Sequence, residues 1–198
     1  MPQVASDIIV TGAKVYLAPV STALPAPSLS TGGTWPTGWV DVGYTLESTK
    51  LTYQFDVMEI FVEQQFSPVR RRRTKETASI ETQLAELTAG NLEIAMAGIA
   101  TSHAASAGVV GYEDFEVGGE PNLDTFMVGI EGDYNDEDNA SFPIRLFAYQ
   151  ATVDGGGTLD LAKDKAIGIP LKLVVMPDNT KPRGTRLLRI QKVLEPAV

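Results

Sequence analysis

The chain has 198 residues, of which 43% are hydrophobic and 21% charged, and its net charge at pH 7 is −9. These values are typical of one folded domain with a substantial core and exclude a disordered chain. No segment is long and apolar enough for a membrane helix, and the negative charge disfavours a protein that binds DNA through its phosphates. The chain has no cysteine, which excludes disulfides and thiolate sites and fits a reducing cytoplasm. Residues 1–9 lack the pattern of a signal peptide, so we expect a soluble protein without an export signal.

Alternation of apolar and polar residues is the main structural signal. Residues 51–57 carry apolar side chains at odd positions, whereas residues 58–62 carry them at even positions. Such a change of phase inside a strand predicts a β-bulge or a sharp bend. A second alternating run at 78–84 predicts the other arm of a long hairpin. Its projecting tip is expected at 64–75.

Further strands are expected on both sides of this hairpin. The sequence predicts them at 14–20, 39–45, 125–131, 142–153, 167–176 and 185–194. A loop rich in Pro, Ser, Thr and Gly at 21–38 predicts a second projecting arm. Because no repeat or linker divides the sequence, residues 1–198 are expected to form a single domain.

One short segment has the period of a helix. Leu92, Ala95, Met96 and Ile99 form one stripe, with Thr88 as the expected N-cap and Gly98 near the end. The following residues 100–108, rich in Ala, Ser and Gly, are expected to form a loop. The predicted fold is therefore mainly β, a β-sandwich or open barrel with one short flanking α-helix and a long projecting hairpin.

Residues that could support catalysis or bind a metal are few. The single histidine, His103, lies among Ala and Ser and is expected in an exposed loop. The glycines at 155–157 open no predicted helix and indicate a turn instead of a phosphate site. The acidic residues at 133–138 could bind calcium but lack the EF-hand spacing, and Asp114 with Glu116 is expected at the surface. The sequence thus predicts no catalytic, cofactor or metal site.

The strongest local charge feature is a run of four arginines, Arg70, Arg71, Arg72 and Arg73. A nucleic-acid patch would usually carry interleaved aromatic residues on a basic domain, and neither is present. Two interpretations remain open at this point. The run is either a contact with an acidic surface of another copy, or a solvated turn that prevents aggregation of an exposed hairpin.

The order of these features resembles a known family. The segments at 8–20 and 38–45, the strand end at 57–60, the Pro-Val-basic segment at 68–73 and the run at 84–92 are similar to the tail tube (major tail) proteins of long-tailed bacteriophages. Phages with a non-contractile tail are the best match. The resemblance covers the first half of the chain, and the second half is similar in its β-rich layout.

This resemblance implies a structural subunit and not an enzyme. Hexameric rings would stack into a hollow virus tail tube that conducts viral DNA during ejection without specific binding. The implied partners are other copies, the tape measure, the tail tip and the tail terminator. No cofactor and no membrane is implied. The protein would be made in the host cytoplasm and act in the virion tail.

The same resemblance suggests roles for individual residues. By analogy with the projecting segment of the family, Arg70 to Arg73 are expected to contact other subunits. An acidic lumen would keep DNA from binding the wall, because like charges repel. The polar faces of the hairpin arms supply the lumen candidates Asp56, Glu59, Glu63 and Glu81. Exposure of this face to outer solvent remains the alternative.

Three other classes of protein could account for parts of this sequence. A tail terminator, a head–tail joining protein or a tube-like injection protein would share the fold. A carbohydrate-binding module would require exposed aromatic residues, for which Trp35, Trp39 and Tyr44 are the candidates. A hydrolase lacks an identifiable nucleophile and base.

Overall fold

The structure, a computed structural model, describes residues 11–27, 33–119, 121–135 and 140–194. Its elements in chain order are β1 (Lys14–Pro19), β2 (Val40–Asp41), β3 (Lys50–Ile60), β4 (Arg70–Leu84), α1 (Ala89–Met96), β5 (Ile99–His103), β6 (Tyr112–Glu116), β7 (Phe126–Asn135), β8 (Ser141–Val153), β9 (Ile169–Val175) and β10 (Leu188–Lys192). All strand pairs in these ranges are antiparallel. The fold is mainly β with one short helix among the described residues, which confirms the predicted class.

The main sheet branches at strand β8. Along one edge β8 pairs with β7, and along the other it pairs with β10 at 144–148 and with β9 at 151–153. The sheet continues from β7 through β1 to β2, and from β9 through β4 to β3. Because β9 and β10 leave the same edge of β8 at different positions, the sheet divides there. The division opens a groove between β10 and the β3–β4 pair.

The main core lies on one face of this sheet. Strand β9 shows strict alternation of buried and more accessible residues, as expected when one face of an antiparallel strand is packed. Buried core residues from the strands include Val15, Leu17, Ile80, Leu84, Val128, Ile130, Ala148, Leu171 and Leu173. Ala95 and Leu92 of α1 pack on the same cluster, so the helix covers part of this face.

Helix α1 begins at the predicted cap, Thr88, but it ends at Met96, so Ile99, which the sequence places on the helix stripe, lies exposed in β5. The Thr88 hydroxyl accepts a hydrogen bond from the backbone N–H of Asn91 at 3.2 Å, and the left-handed residue Ala97 (φ 50°) terminates the helix. The Asn91 side chain is buried and donates to the carbonyls of Val42 (3.0 Å) and Glu86 (2.9 Å). These bonds fix the helix start to the segment that connects β2 with β3.

The opposite face of β1, β7 and β8 is covered by the loop after β1. Trp35 stacks on Tyr16 with 4.0 Å between ring centroids, and Trp39 lies edge-on to Trp35 at 4.9 Å. Gly129 lies directly beneath them, and a Cβ at this position would lie 2.6 Å from the Trp35 ring. The described parts of the loop at 21–38 therefore pack on the sheet instead of projecting from it.

A buried ion pair lies under the same loop. Arg145 Nε of β8 donates to Glu131 Oε1 of β7 at 2.8 Å, and both side chains are almost completely buried. Arg145 also donates to the carbonyl of Ala26 at 3.1 Å, and Trp35 Nε1 donates to Glu131 Oε2 at 3.4 Å. Two buried charges are tolerated only when paired and hydrogen-bonded, so these contacts tie the loop to the sheet.

Most predicted strands are confirmed, but the segments at 39–45 and 100–108 differ from the prediction. The loop expected at 100–108 is instead the strand β5 and its turn, because residues 99–103 pair with β6 in a separate two-stranded sheet. Small residues in β5 hide the alternation that marks other strands. His103 therefore lies in a strand and not in a loop. The strand expected at 39–45 is reduced to the two residues of β2.

A candidate assembly surface

The hairpin formed by β3 and β4 projects from the body. Near its base, residues 78–84 of β4 pair with β9 as well as with β3 or the segment before it. Beyond this base, residues 54–60 and 70–77 pair only with each other among the described residues, and their side chains are exposed. The predicted long hairpin is confirmed, and its outer half has no core of its own.

The arginine run lies in strand β4 and not at the tip of the hairpin. Pairing continues to Ile60 opposite Arg70, so the turn comprises residues 61–69. The expected tip at 64–75 is too long at its C-terminal end, because β-pairing of Arg70–Arg73 with residues 57–60 extends the arms. We call residues 61–69 the tip.

A bulge lies within the outer half of the hairpin. Asp56 pairs with Lys75 and Val57 pairs with Arg73, so Thr74 is the extra residue. The Thr74 hydroxyl donates to the carbonyl of Asp56 at 3.3 Å. The change of phase predicted a bulge or a bend in this strand, but the extra residue, Thr74, lies on β4 and β3 is continuous, so the apolar residues of β3 change face after Val57.

Alternation and register define two faces of the hairpin. The face that continues the core, called here face A, carries Phe55, Val57, Glu59, Arg71 and Arg73. The other, called face B, carries Asp56, Met58, Ile60, Arg70, Arg72, Lys75 and Glu81. Exposed apolar side chains lie on both faces, which differs from an ordinary surface strand with one apolar and one polar face.

Face A contains a network that stiffens the hairpin. Arg73 donates to Glu76 Oε1 at 3.0 Å and to the Tyr53 hydroxyl at 2.9 Å, and its guanidinium lies 4.4 Å from the centroid of the Phe55 ring. The hydrogen bond with Glu76 raises the pKa of Arg73 above its ordinary value. Arg71 pairs with Glu59 at 3.0 Å. Two of the four arginines are therefore engaged within the hairpin.

Face B leaves the other two arginines without a partner. The side chains of Arg70 and Arg72 make no hydrogen bond, ion pair or ring contact within the part of the chain that the structure describes. Their neighbour on this face, Lys75, lies opposite Asp56 in the register. Arg70 and Arg72 are thus the members of the run that are available for another molecule.

The four lumen candidates do not lie on one face. Asp56 and Glu81 share face B, Glu59 lies on face A with Arg71, and Glu63 lies in the tip. Glu81 is 3.7 Å from Lys172, which also pairs with Asp154 at 3.1 Å. The hydrogen bond with Asp154 is the main reason why the pKa of Lys172 is raised. Each candidate carboxylate on face B therefore has a basic neighbour.

An open groove lies at the base of the hairpin, and we call it the basal groove. It has a volume of about 710 Å³ and lies between the hairpin and the 177–190 segment. Its lining residues are Leu51, Tyr53, Arg73, Glu76, Val175, Pro177, Arg183, Gly184, Arg186, Leu187, Leu188 and Ile190. The lining is mostly apolar with a basic rim. Sequence reasoning missed this groove because its walls are distant in the chain.

Acidic residues are concentrated in the middle of the chain. No lysine or arginine occurs between Glu86 and Arg145, a segment that includes α1, β5, β6 and β7.

In β5–β6, His103 Nε2 lies 3.4 Å from Asp114 Oδ2, and the His103 ring stacks on Tyr112 with 4.3 Å between ring centroids. The Ser102 hydroxyl donates to Glu113 and not to the histidine, so these residues do not form a nucleophile–base pair.

Other candidates for chemistry receive little support. Among the described residues no cluster of His, Cys, Asp or Glu could hold a metal ion, and residues 136–139 of the acidic segment lie outside them. No helix in the described ranges is long and apolar enough to cross a membrane. Trp35 and Trp39 pack on the sheet while Tyr44 is exposed elsewhere, so the three aromatic residues do not form the open patch of a carbohydrate-binding surface.

Strand β3 ends the sheet with an open edge. It is 11 residues long, contains no proline, and has no partner on its outer side within the described chain. Unpaired N–H and C=O groups on so long an edge can be satisfied by a strand from another molecule. With the exposed hairpin and the basal groove, this edge makes one side of the molecule suitable for assembly.

Comparison with known proteins agrees with this architecture. The sequence model of a family described as "Phage tail tube protein" matches residues 1–187. A search among curated proteins found no significant match. The matched region includes the hairpin, the arginine run and most of the basal groove. The chain belongs to the phage tail tube protein family, and it is a structural subunit of the tail of a bacteriophage.

Proposed function

We propose that copies of this chain close into hexameric rings, and that the rings stack into a hollow tube through which viral DNA passes during ejection. The observation that carries the proposal is the open 11-residue edge of β3 on a projecting hairpin. Pairing of this edge with a neighbouring copy would satisfy its backbone groups. A ring of copies joined in this way would form a closed barrel, which has no free edges.

Within this assembly, Arg70 and Arg72 bind carboxylates of a neighbouring copy. Their exposure on face B and their lack of a partner in the described chain support this role. The segment between Glu86 and Arg145, which has no basic residue, supplies acidic surface on the other copy. Arginine is suited to such contacts because its planar fork can donate two hydrogen bonds to one carboxylate. Arg71 and Arg73 support the contact indirectly by stiffening the hairpin.

Face B at the base of the hairpin lines the lumen of the tube. Asp56 and Glu81 share this face, and each has a basic neighbour, so the wall would carry balanced charge. DNA binds to a protein surface mainly when basic side chains neutralise its phosphates and release their counterions. A wall without excess positive charge therefore does not hold the DNA. Glu59 and Glu63 lie elsewhere on the hairpin and are assigned to contacts between copies.

Partners at the ends and inside of the tube are the tail terminator, the tail tip and the tape measure. They follow from the role of a tube subunit. Synthesis in the host cytoplasm agrees with the absence of cysteine.

The proposal is tested by negative-stain electron microscopy of the purified protein at high concentration, together with its mass in solution. We expect hollow tubes or six-fold rings. Rings that never stack would instead favour a tail terminator or a head–tail joining protein. A strictly monomeric protein that also fails to polymerise on added tail tips would contradict the proposal.

A further inference from the structure

The tip of the hairpin is an apolar surface with one charge. Residues 61–69 include Phe61, Val62, Phe66 and Val69, all exposed, and Phe66 has no contact that shields its ring from solvent. The single charged residue of the tip, Glu63, makes no ion pair or hydrogen bond among the described residues. Exposed aromatic residues grouped at the end of a projecting element indicate a surface that another molecule covers.

The basal groove has the complementary properties. Leu51, Val175 and Leu188 provide apolar walls, and Arg183 and Arg186 lie at the rim. Arg186 is held by the carbonyl of Lys181 and by Asn179. Arg183 is exposed and has no partner in the described part of the chain. An apolar slot with a free positive charge matches an apolar tip with a free negative charge.

The tip cannot reach the groove of its own chain. Arg73, the groove residue farthest along the hairpin, pairs with Val57, so at about 3.3 Å per residue the tip begins about 13 Å beyond it. The exposure of every side chain from 54 to 60 also excludes a hairpin folded back on the body. The matching surfaces must therefore meet between two molecules.

We propose that the hairpin tip of one copy inserts into the basal groove of a second copy, with Phe66 in the apolar slot and Glu63 at Arg183. This inference rests on the proposed function and specifies which surfaces join the copies. The contact is heterologous, since tip and groove are different surfaces, and it can therefore propagate along rings or stacks.

Both surfaces are preformed. The tip is held by backbone hydrogen bonds from Gln65 N–H to the carbonyl of Val62 (3.2 Å) and from Val69 N–H to the carbonyl of Ile60 (2.9 Å). In the turn that follows the groove-lining Pro177, the Asp178 carboxylate accepts from the N–H of Thr180 at 2.9 Å. Surfaces ordered before contact lose less conformational entropy when they bind.

Disulfide trapping tests the contact directly, because the chain has no cysteine of its own. A Ser67→Cys variant is mixed with a Leu188→Cys variant that carries a different tag, under assembly conditions, and oxidised. We expect at least about tenfold more mixed disulfide than from Ser67→Cys with Val110→Cys, because a seated tip raises the effective thiol concentration. Val110 is an exposed control in the β5–β6 turn.

Charge exchange tests the paired residues. Glu63→Arg and Arg183→Glu should each raise the protein concentration at which assembly begins by about tenfold, and the double variant should lower it again. Failure of the double variant to recover would contradict the Glu63–Arg183 contact.

The outcomes separate this inference from the proposed function. Tubes without a selective disulfide would overturn the tip–groove contact and leave the tube function intact. A selective disulfide in material that never forms rings or tubes would support the contact and overturn the tube. Absence of both the disulfide and any assembly would overturn both.

Discussion

The body and the projecting hairpin are built from the same alternating strands, yet they bury their apolar residues differently. In β9 of the body, Leu171, Leu173 and Val175 are buried within the chain. In the outer hairpin, Phe55 and Met58 are about half exposed and lie on opposite faces. The sheet of the body therefore buries its apolar face within the chain, whereas the apolar residues of the outer hairpin are left for another molecule to cover. Changes in the body should alter folding, and changes in the hairpin should alter assembly.

The largest effect is expected in the body, at the buried ion pair. Arg145→Ala leaves the Glu131 carboxylate buried without its charged partner, which typically costs about 3–5 kcal/mol of unfolding free energy. Urea denaturation measures this loss. A double variant, Glu131→Leu with Arg145→Met, should recover most of it because no buried charge remains. An unchanged urea midpoint for Arg145→Ala would show that the pair does not stabilise the body.

The second-largest effect is expected in the hairpin, where a substitution should weaken assembly and leave stability almost unchanged. Arg70→Glu with Arg72→Glu should raise the concentration needed for assembly by about tenfold or more, because attraction becomes repulsion between copies. The urea midpoint should barely change, since exposed side chains without partners contribute within about 0.5 kcal/mol. Light scattering follows assembly.

A matched control for this variant has the same change in charge. Lys14→Glu with Lys163→Glu reverses two exposed lysines outside the hairpin that make no ion pair in the described chain. Equal loss of assembly in both double variants would mean that total charge, and not the arginine position, controls association.

A smaller effect is expected at the start of helix α1. Thr88→Ala removes the hydroxyl that accepts from Asn91 and should cost about 1 kcal/mol of unfolding free energy. Assembly of the folded fraction should be unaffected, because the helix belongs to the body. Thermal unfolding and light scattering together test both parts. Thr88→Ser should retain the cap and serve as the control.

The smallest effect is expected at Asp178, in the turn between the groove-lining residues Pro177 and Arg183. The hydrogen bond from the Thr180 side chain is the main reason why the pKa of Asp178 lies below its ordinary value of 3.8. Because the pKa of Asp178 is lower in the folded state than in the unfolded state, its ionised carboxylate stabilises the fold above the unfolded-state pKa. This stabilisation is lost as the pH falls through the folded-state pKa. Asp178→Asn keeps an acceptor oxygen but removes the charge. The urea midpoint of wild type should exceed that of Asp178→Asn at about pH 6 and approach it near about pH 3. A constant difference across this range would contradict the pKa assignment.

The sequence predicts the strands of the body well because their alternation reports burial within the chain. It also predicts the hairpin and the Thr88 cap, both of which are local signals, whereas the bulge expected in β3 near Val57 lies in β4. It assigns β5 to a loop, since Ala100 and Ser102 carry no alternating signal and the strand exists by pairing with β6. The Glu131–Arg145 pair and the basal groove depend on contacts between distant segments. The sequence grouped Asp56 and Glu59 on one face because the change of phase suggested a bulge in β3, whereas the bulge lies in β4 and the two residues face opposite sides.

Hydrogen exchange of the free and the assembled protein tests the central claim most directly, namely that the hairpin is completed by other copies. We expect amides of 54–60 and of the tip at 61–69 to exchange quickly in the free subunit and to become protected on assembly. Amides of β7 and β8 should be protected in both states. Protection confined to other surfaces, with the hairpin still exchanging quickly in the assembled protein, would contradict the account.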